Sequence, residues 1–125
     1  MAARGRLCPR ERGLMTRDTL LYRRDQARKA RRAEAYAEVR QQLRTALAEL
    51  VPGHRVWVFG SLAKPGRFND ASDVDLALAE PPTSMSVGRL SQELAERLGR
   101  RVDIVMFDQC RFRDKILREG ELWTL

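Results

Sequence analysis

Asp73 and Asp75 stand two residues apart in the run Ser-Asp-Val-Asp-Leu-Ala-Leu-Ala, which alternates with the period of a strand. Both carboxylates therefore leave one face, about 7 Å apart along the strand, while Val74, Leu76 and Leu78 share the other. Two like charges side by side repel each other and bury nothing apolar. A hard divalent cation removes that penalty, and Mg2+ typically takes one or two carboxylates and leaves its other positions to phosphate and water. A third acid, Asp103, interrupts the apolar run VDIVMF over 102–107 and would join the pair if its strand lies beside theirs. Upstream, Gly60-Ser61 follows the apolar run Val56-Trp57-Val58-Phe59 and is expected to open a helix. Backbone N–H groups there, with the Ser61 hydroxyl, can hold a phosphate that Gly60 allows to come close. Carboxylates holding two metals about 3.5–4 Å apart beside a phosphate grip suit in-line displacement at phosphorus with pyrophosphate departing, which is nucleotidyl transfer.

Other residues carry less. Lys64 and Arg67 lie in the loop after the Gly-Ser pair, where Lys64 can reach a triphosphate. His54 follows Pro52-Gly53 at a turn and is expected on the surface. Trp57 and Trp123 read as core or interface aromatics, and Val87, Leu90 and Leu94 as a core stripe.

These residues need a framework, and the hydrophobic periodicity supplies one. Tyr36, Val39, Leu43, Ala46, Leu47 and Leu50 recur at spacings of three and four, predicting a helix over about 19–50 that Pro52-Gly53 ends. Its earlier part, RRDQARKARRAEA, is polar nearly all round. Strands are expected at 56–59, 72–79 and 101–107, and at 122–125. Ser86 caps a helix that closes at Gly99, and a last short helix lies around 113–118. Helices and strands in this order predict an α/β (α+β) domain, a small mixed β-sheet flanked by helices, with a long N-terminal helix. Residues 1–18 are expected to form a disordered tail, and residues 19–125 a single domain.

Length and composition set the outer bounds. With 125 residues there is room for one core. No apolar run reaches the roughly 18 residues of a membrane span, and the first residues lack a secretory signal, so the expected location is the cytoplasm. Cys8 and Cys110 have no metal-ligand spacing and read as reduced thiols. The net charge of +7 is unevenly spread: residues 1–32 hold 11 Lys/Arg against 3 Asp/Glu, the remainder 13 against 14. Basicity thus belongs to an N-terminal arm suited to an acidic partner, and RNA contact through that helix is not the favoured use.

The segment VFGSLAKPGRFNDASDVDLALAE, with VDIV downstream, resembles the DNA polymerase β-like nucleotidyltransferase superfamily. Specifically, it is similar to the minimal nucleotidyltransferase (MNT-type) antitoxins of HEPN/MNT toxin–antitoxin modules, over roughly residues 55–125. That resemblance implies a nucleotidyltransferase fold, Mg2+ as cofactor and ATP as substrate. It also implies transfer of AMP to a tyrosine of a cognate HEPN RNase toxin, which is thereby neutralised. By the same resemblance Gly60 and Ser61 bind the nucleotide, Asp73 and Asp75 bind metal, and Asp103 assists metal binding or deprotonates the acceptor. Eleven residues separate Ser61 from Asp73, against the family's usual ten, so the loop between them must bulge. Two other readings keep part of this picture. The same site could act on a small molecule such as an aminoglycoside, although so short a chain leaves no second domain to bind one, or a non-catalytic antitoxin could neutralise by docking.

Overall fold

The computed structural model describes residues 9–125, with side chains from residue 19 onward. Helix α1 spans Pro9–Leu50, beginning upstream of the expected start near 19, and the first eight residues of the anticipated tail lie outside the described residues. After it come β1 (Arg55–Phe59), a four-residue 3-10 turn at Gly60–Ala63, β2 (Val74–Leu78), α2 (Val87–Leu98) and β3 (Val102–Met106). A second 3-10 turn at Phe107–Gln109, α3 (Arg113–Glu119) and β4 (Glu121–Thr124) complete the chain.

The four strands form one mixed sheet in the order β3-β2-β1-β4. Strand β1 is antiparallel to both β2 and β4, whereas β2 and β3 are parallel. Parallel neighbours need a crossover, and α2 provides it. Alternation then sorts the side chains. Val56, Val58, Val74, Leu76, Leu78, Val102 and Trp123 turn to one face, where they meet Val39, Leu43 and Leu47 of α1 and Leu90, Leu94 and Leu98 of α2 in a single core. Burying a side chain of this kind contributes about 1.5–3 kcal/mol, so the packed face dominates the stability of the sheet. Val87, the first residue of the expected core stripe, is only half-buried at its edge.

Local chemistry sets the boundaries. Ser86 Oγ accepts a hydrogen bond from the Arg89 N–H at 3.1 Å, and Gly99 closes α2 with φ of 67°, a left-handed conformation that favours glycine. Gly60-Ser61 opens only a single 3-10 turn instead of a helix, because Pro65-Gly66 soon redirects the chain. His54 departs from its expected surface position: only 9 % exposed, it places its two ring nitrogens 3.2 Å from the carbonyls of Pro52 and Pro81. The turn folds back onto the sheet, and the imidazole spans the two chain reversals. Cys110 is a free, half-buried thiol, while Cys8 lies outside the described residues.

The chain divides into two units, Met1–Arg31 and Arg32–Leu125. In the first, the described side chains, from residue 19 on, are all exposed. The second carries the sheet and the core. Among the described residues, no helix is long and apolar enough to cross a membrane.

Candidate active site

On the sheet face opposite the core, strand register places Phe59, Asp75 and Asp103 in one row, since Phe59 pairs with Asp75 and Asp75 with Asp103. Neighbouring strands lie about 4.8 Å apart, so the carboxylates of Asp75 and Asp103 start from adjacent positions on the same side. Asp73 lies just ahead of β2, two residues before Asp75. The three acids feel one another. Partial burial raises the Asp75 carboxyl above its ordinary range, repulsion from Asp103 and Asp73 adds to that, and Arg101 works the other way. Arg101 Nε stands 3.2 Å from Asp103 Oδ1 and holds that side chain in place.

Among the described residues, no group of three or more His, Cys, Asp or Glu is gathered tightly enough to hold one ion. The donor set nevertheless fits Mg2+: two hard carboxylates, in register and half-buried, are the usual protein share of its coordination.

The turn at Gly60 meets this row directly. Gly60 has φ of 72°, and a Cβ placed on it would collide with Oδ2 of Asp75. Both facts call for glycine, and the close approach puts the first acid of the row against the backbone expected to grip phosphate. From α1, Arg40 donates to the Leu62 carbonyl at 3.0 Å and so fixes the turn. Its guanidinium lies over the rings of Tyr36 and Trp123 and pairs with Glu121, which also accepts from Trp123 Nε1 at 2.5 Å.

The loop between the turn and β2 is braced in a comparable way. Buried Phe68 anchors it, edge-on to Tyr36 with centroids 6.1 Å apart and beneath the Arg100 guanidinium at 4.5 Å. Arg100 Nη1 donates to the carbonyls of Asn69 (3.2 Å) and Ser72 (2.9 Å), and the Asn69 side chain accepts from the Ala71 N–H at 2.8 Å. Hydrogen bonds from Arg67 N–H to the Lys64 carbonyl and from Ser72 N–H to the Asn69 carbonyl make two successive turns in this stretch.

A cleft of about 370 Å³ opens beside the turn, lined by Gly60, Ser61, Lys64, Arg67 and Asp75 on one side and by α3 on the other. Of the residues expected at the site, Gly60, Ser61, Lys64 and Asp75 share this cleft. Asp73 and Asp103 flank Asp75 outside its lining. Lys64 Nζ is bound to Glu119 Oε1 at 2.5 Å, and that hydrogen bond holds the Glu119 carboxyl below its ordinary range. Sequence reasoning passed over Phe112, Lys115 and Glu119, although their spacing of three and four residues marks one face of the short last helix. It also passed over Arg40 and Arg100, whose guanidinium targets are distant backbone carbonyls that leave no local signature.

Several solved structures share this architecture. A toxin–antitoxin complex with AMP-PNP aligns at 23% identity and a TM-score of 0.55 over 68% of this chain and 73% of that one. A minimal nucleotidyltransferase aligns at 29% identity and a TM-score of 0.54, covering 69% and 93%. A tri-AMPylated Shewanella oneidensis HEPN toxin in complex with its MNT antitoxin aligns at 20% identity and a TM-score of 0.52, covering 72% and 73%. None of the curated proteins matches the chain in sequence. The family described as polymerase beta, nucleotidyltransferase matches residues 41–123, the span that holds the sheet, the Gly-Ser turn and all three aspartates, and the chain belongs to that family.

Proposed function

We propose that this protein is an antitoxin that transfers AMP from ATP to a tyrosine of a cognate HEPN-type toxin and so neutralises it. The observation that carries this reading is the close approach of Gly60 and Asp75, which brings the turn proposed to hold phosphate against the acidic row. Similarity in fold to MNT antitoxins in toxin–antitoxin complexes, one with AMP-PNP and one with a tri-AMPylated toxin, supports the choice of nucleotide and acceptor.

In this reading Gly60 N–H, the Ser61 hydroxyl and Lys64 hold the β- and γ-phosphates, with the α-phosphorus turned towards Asp75. The phenol of the acceptor tyrosine gives its proton to Asp103. Its oxygen bonds to the α-phosphorus, and the bond from that phosphorus to the bridging oxygen breaks. Pyrophosphate departs along Ser61 and Lys64. Asp75, paired with Asp73 or Asp103, would hold Mg2+, which would supply neutralisation of the crowded phosphate charge.

The test uses ATP labelled at the α-phosphate, Mg2+ and a cognate HEPN toxin. Label should appear on a toxin tyrosine, and Asp73→Asn with Asp75→Asn should abolish both labelling and neutralisation. Neutralisation that survives in that double variant without label transfer would make docking the function.

A further inference from the structure

The wall of the cleft contributed by α3 has no counterpart in the residues expected to act. Helix α3 and the residue before it turn Phe112, Lys115 and Glu119 towards the space that Gly60 and Ser61 border. Phe112 is 61% exposed, and among the described residues the ring pairs are Tyr36 with Phe68 and Trp57 with Phe107, neither involving it. A bare phenyl ring on the rim of a polar cleft gains most from a flat, apolar-faced ligand, and nucleobases stack on aromatic side chains with little regard to sequence. The remainder of the cleft suits an anion, because Lys64, Arg67 and Lys115 all line it. Its 370 Å³ falls within the range of small-molecule sites. Lys64 is already paired with Glu119, so that carboxylate opposes the attraction of Lys64 for a polyphosphate.

We infer that α3 is the nucleoside wall of the site: Phe112 stacks on the base, Lys115 takes a phosphate oxygen, and Glu119 competes with the nucleotide for Lys64. This rests on the nucleotidyltransferase reading and assigns the residues that select a nucleotide over a bare polyphosphate. Phe112 stands at the cap position just before α3 and Lys115 in its first turn, and both line the cleft, as the base and phosphates of one ligand require.

Calorimetric titration of the full chain with MgATP and, separately, with magnesium tripolyphosphate tests it. Phe112→Ala should weaken ATP about tenfold and leave tripolyphosphate unchanged, whereas Phe112→Tyr should keep the native affinity for both. Lys115→Gln should weaken both ligands and Glu119→Gln tighten both. ATP bound equally well by Phe112→Ala, or both ligands lost together in that variant, overturns the inference. A native chain that binds tripolyphosphate as tightly as ATP overturns it too while sparing the phosphate grip. A native chain that binds neither ligand overturns the phosphate grip and this inference together.

Discussion

Asp75 carries the electrostatic load of the site. Its pKa is raised above the usual aspartate value of 3.8, first by burial and then by Asp103 and Asp73. Below that value it is protonated whether the chain is folded or not, and its stabilising contribution is fully present. As pH rises through the folded value, the native state resists an ionisation that the unfolded chain accepts freely, so that stability is lost. Without divalent cations, Asp75→Asn should therefore melt at a higher temperature than the native chain at pH 7.5, and the gap should close towards pH 3.5. Added Mg2+ should raise the melting temperature of the native chain and leave the variant unmoved, since a ligand stabilises only the state that binds it. A variant less stable at pH 7.5, or equally stabilised by Mg2+, would contradict this account of the residue.

Among the elements, the braced loop ahead of β2 is the most informative. Arg100 reaches two loop carbonyls and caps the ring of Phe68, all within the segment that delivers Asp73. Arg100→Met should destabilise the protein by about 1.5–3 kcal/mol, the worth of hydrogen bonds to a charged group, and weaken nucleotide affinity as the loop relaxes. A stability loss in denaturant titration with unchanged nucleotide affinity would separate the loop from the site. Strands, helices and caps were legible because each rests on residues close in sequence: Val74, Leu76 and Leu78 alternate, Ser86 and Gly99 bracket α2, and Pro52-Gly53 ends α1. The pairing of Asp75 with Asp103 was only a condition in the sequence, since strand order depends on contacts between distant residues, and the parallel register of β2 and β3 meets it. His54 misled for a related reason. Proline and glycine reveal a turn without revealing which carbonyls, here those of Pro52 and Pro81, close around it.

Across the whole molecule, charge and packing are divided between different stretches of chain. Among the described residues, Ala35 is the earliest packed against the core, whereas the basic excess lies in residues 1–32. A chain lacking residues 1–31 should therefore keep its melting temperature and its MgATP affinity, while any binding of RNA should lose its steep salt dependence. Loss of nucleotide affinity on truncation would move part of the site into the arm. The central claim is narrower: the Gly60-Ser61 turn and the aspartate row form one metal–nucleotide site. Its most direct test is electron paramagnetic resonance of Mn2+, standing in for Mg2+, titrated with a non-hydrolysable ATP analogue into the native chain and into Asp75→Asn/Asp103→Asn. The account predicts Mn2+ immobilised on the native chain when the analogue is present and left as the mobile Mn2+–nucleotide complex with the variant. Equal immobilisation by both proteins would contradict it.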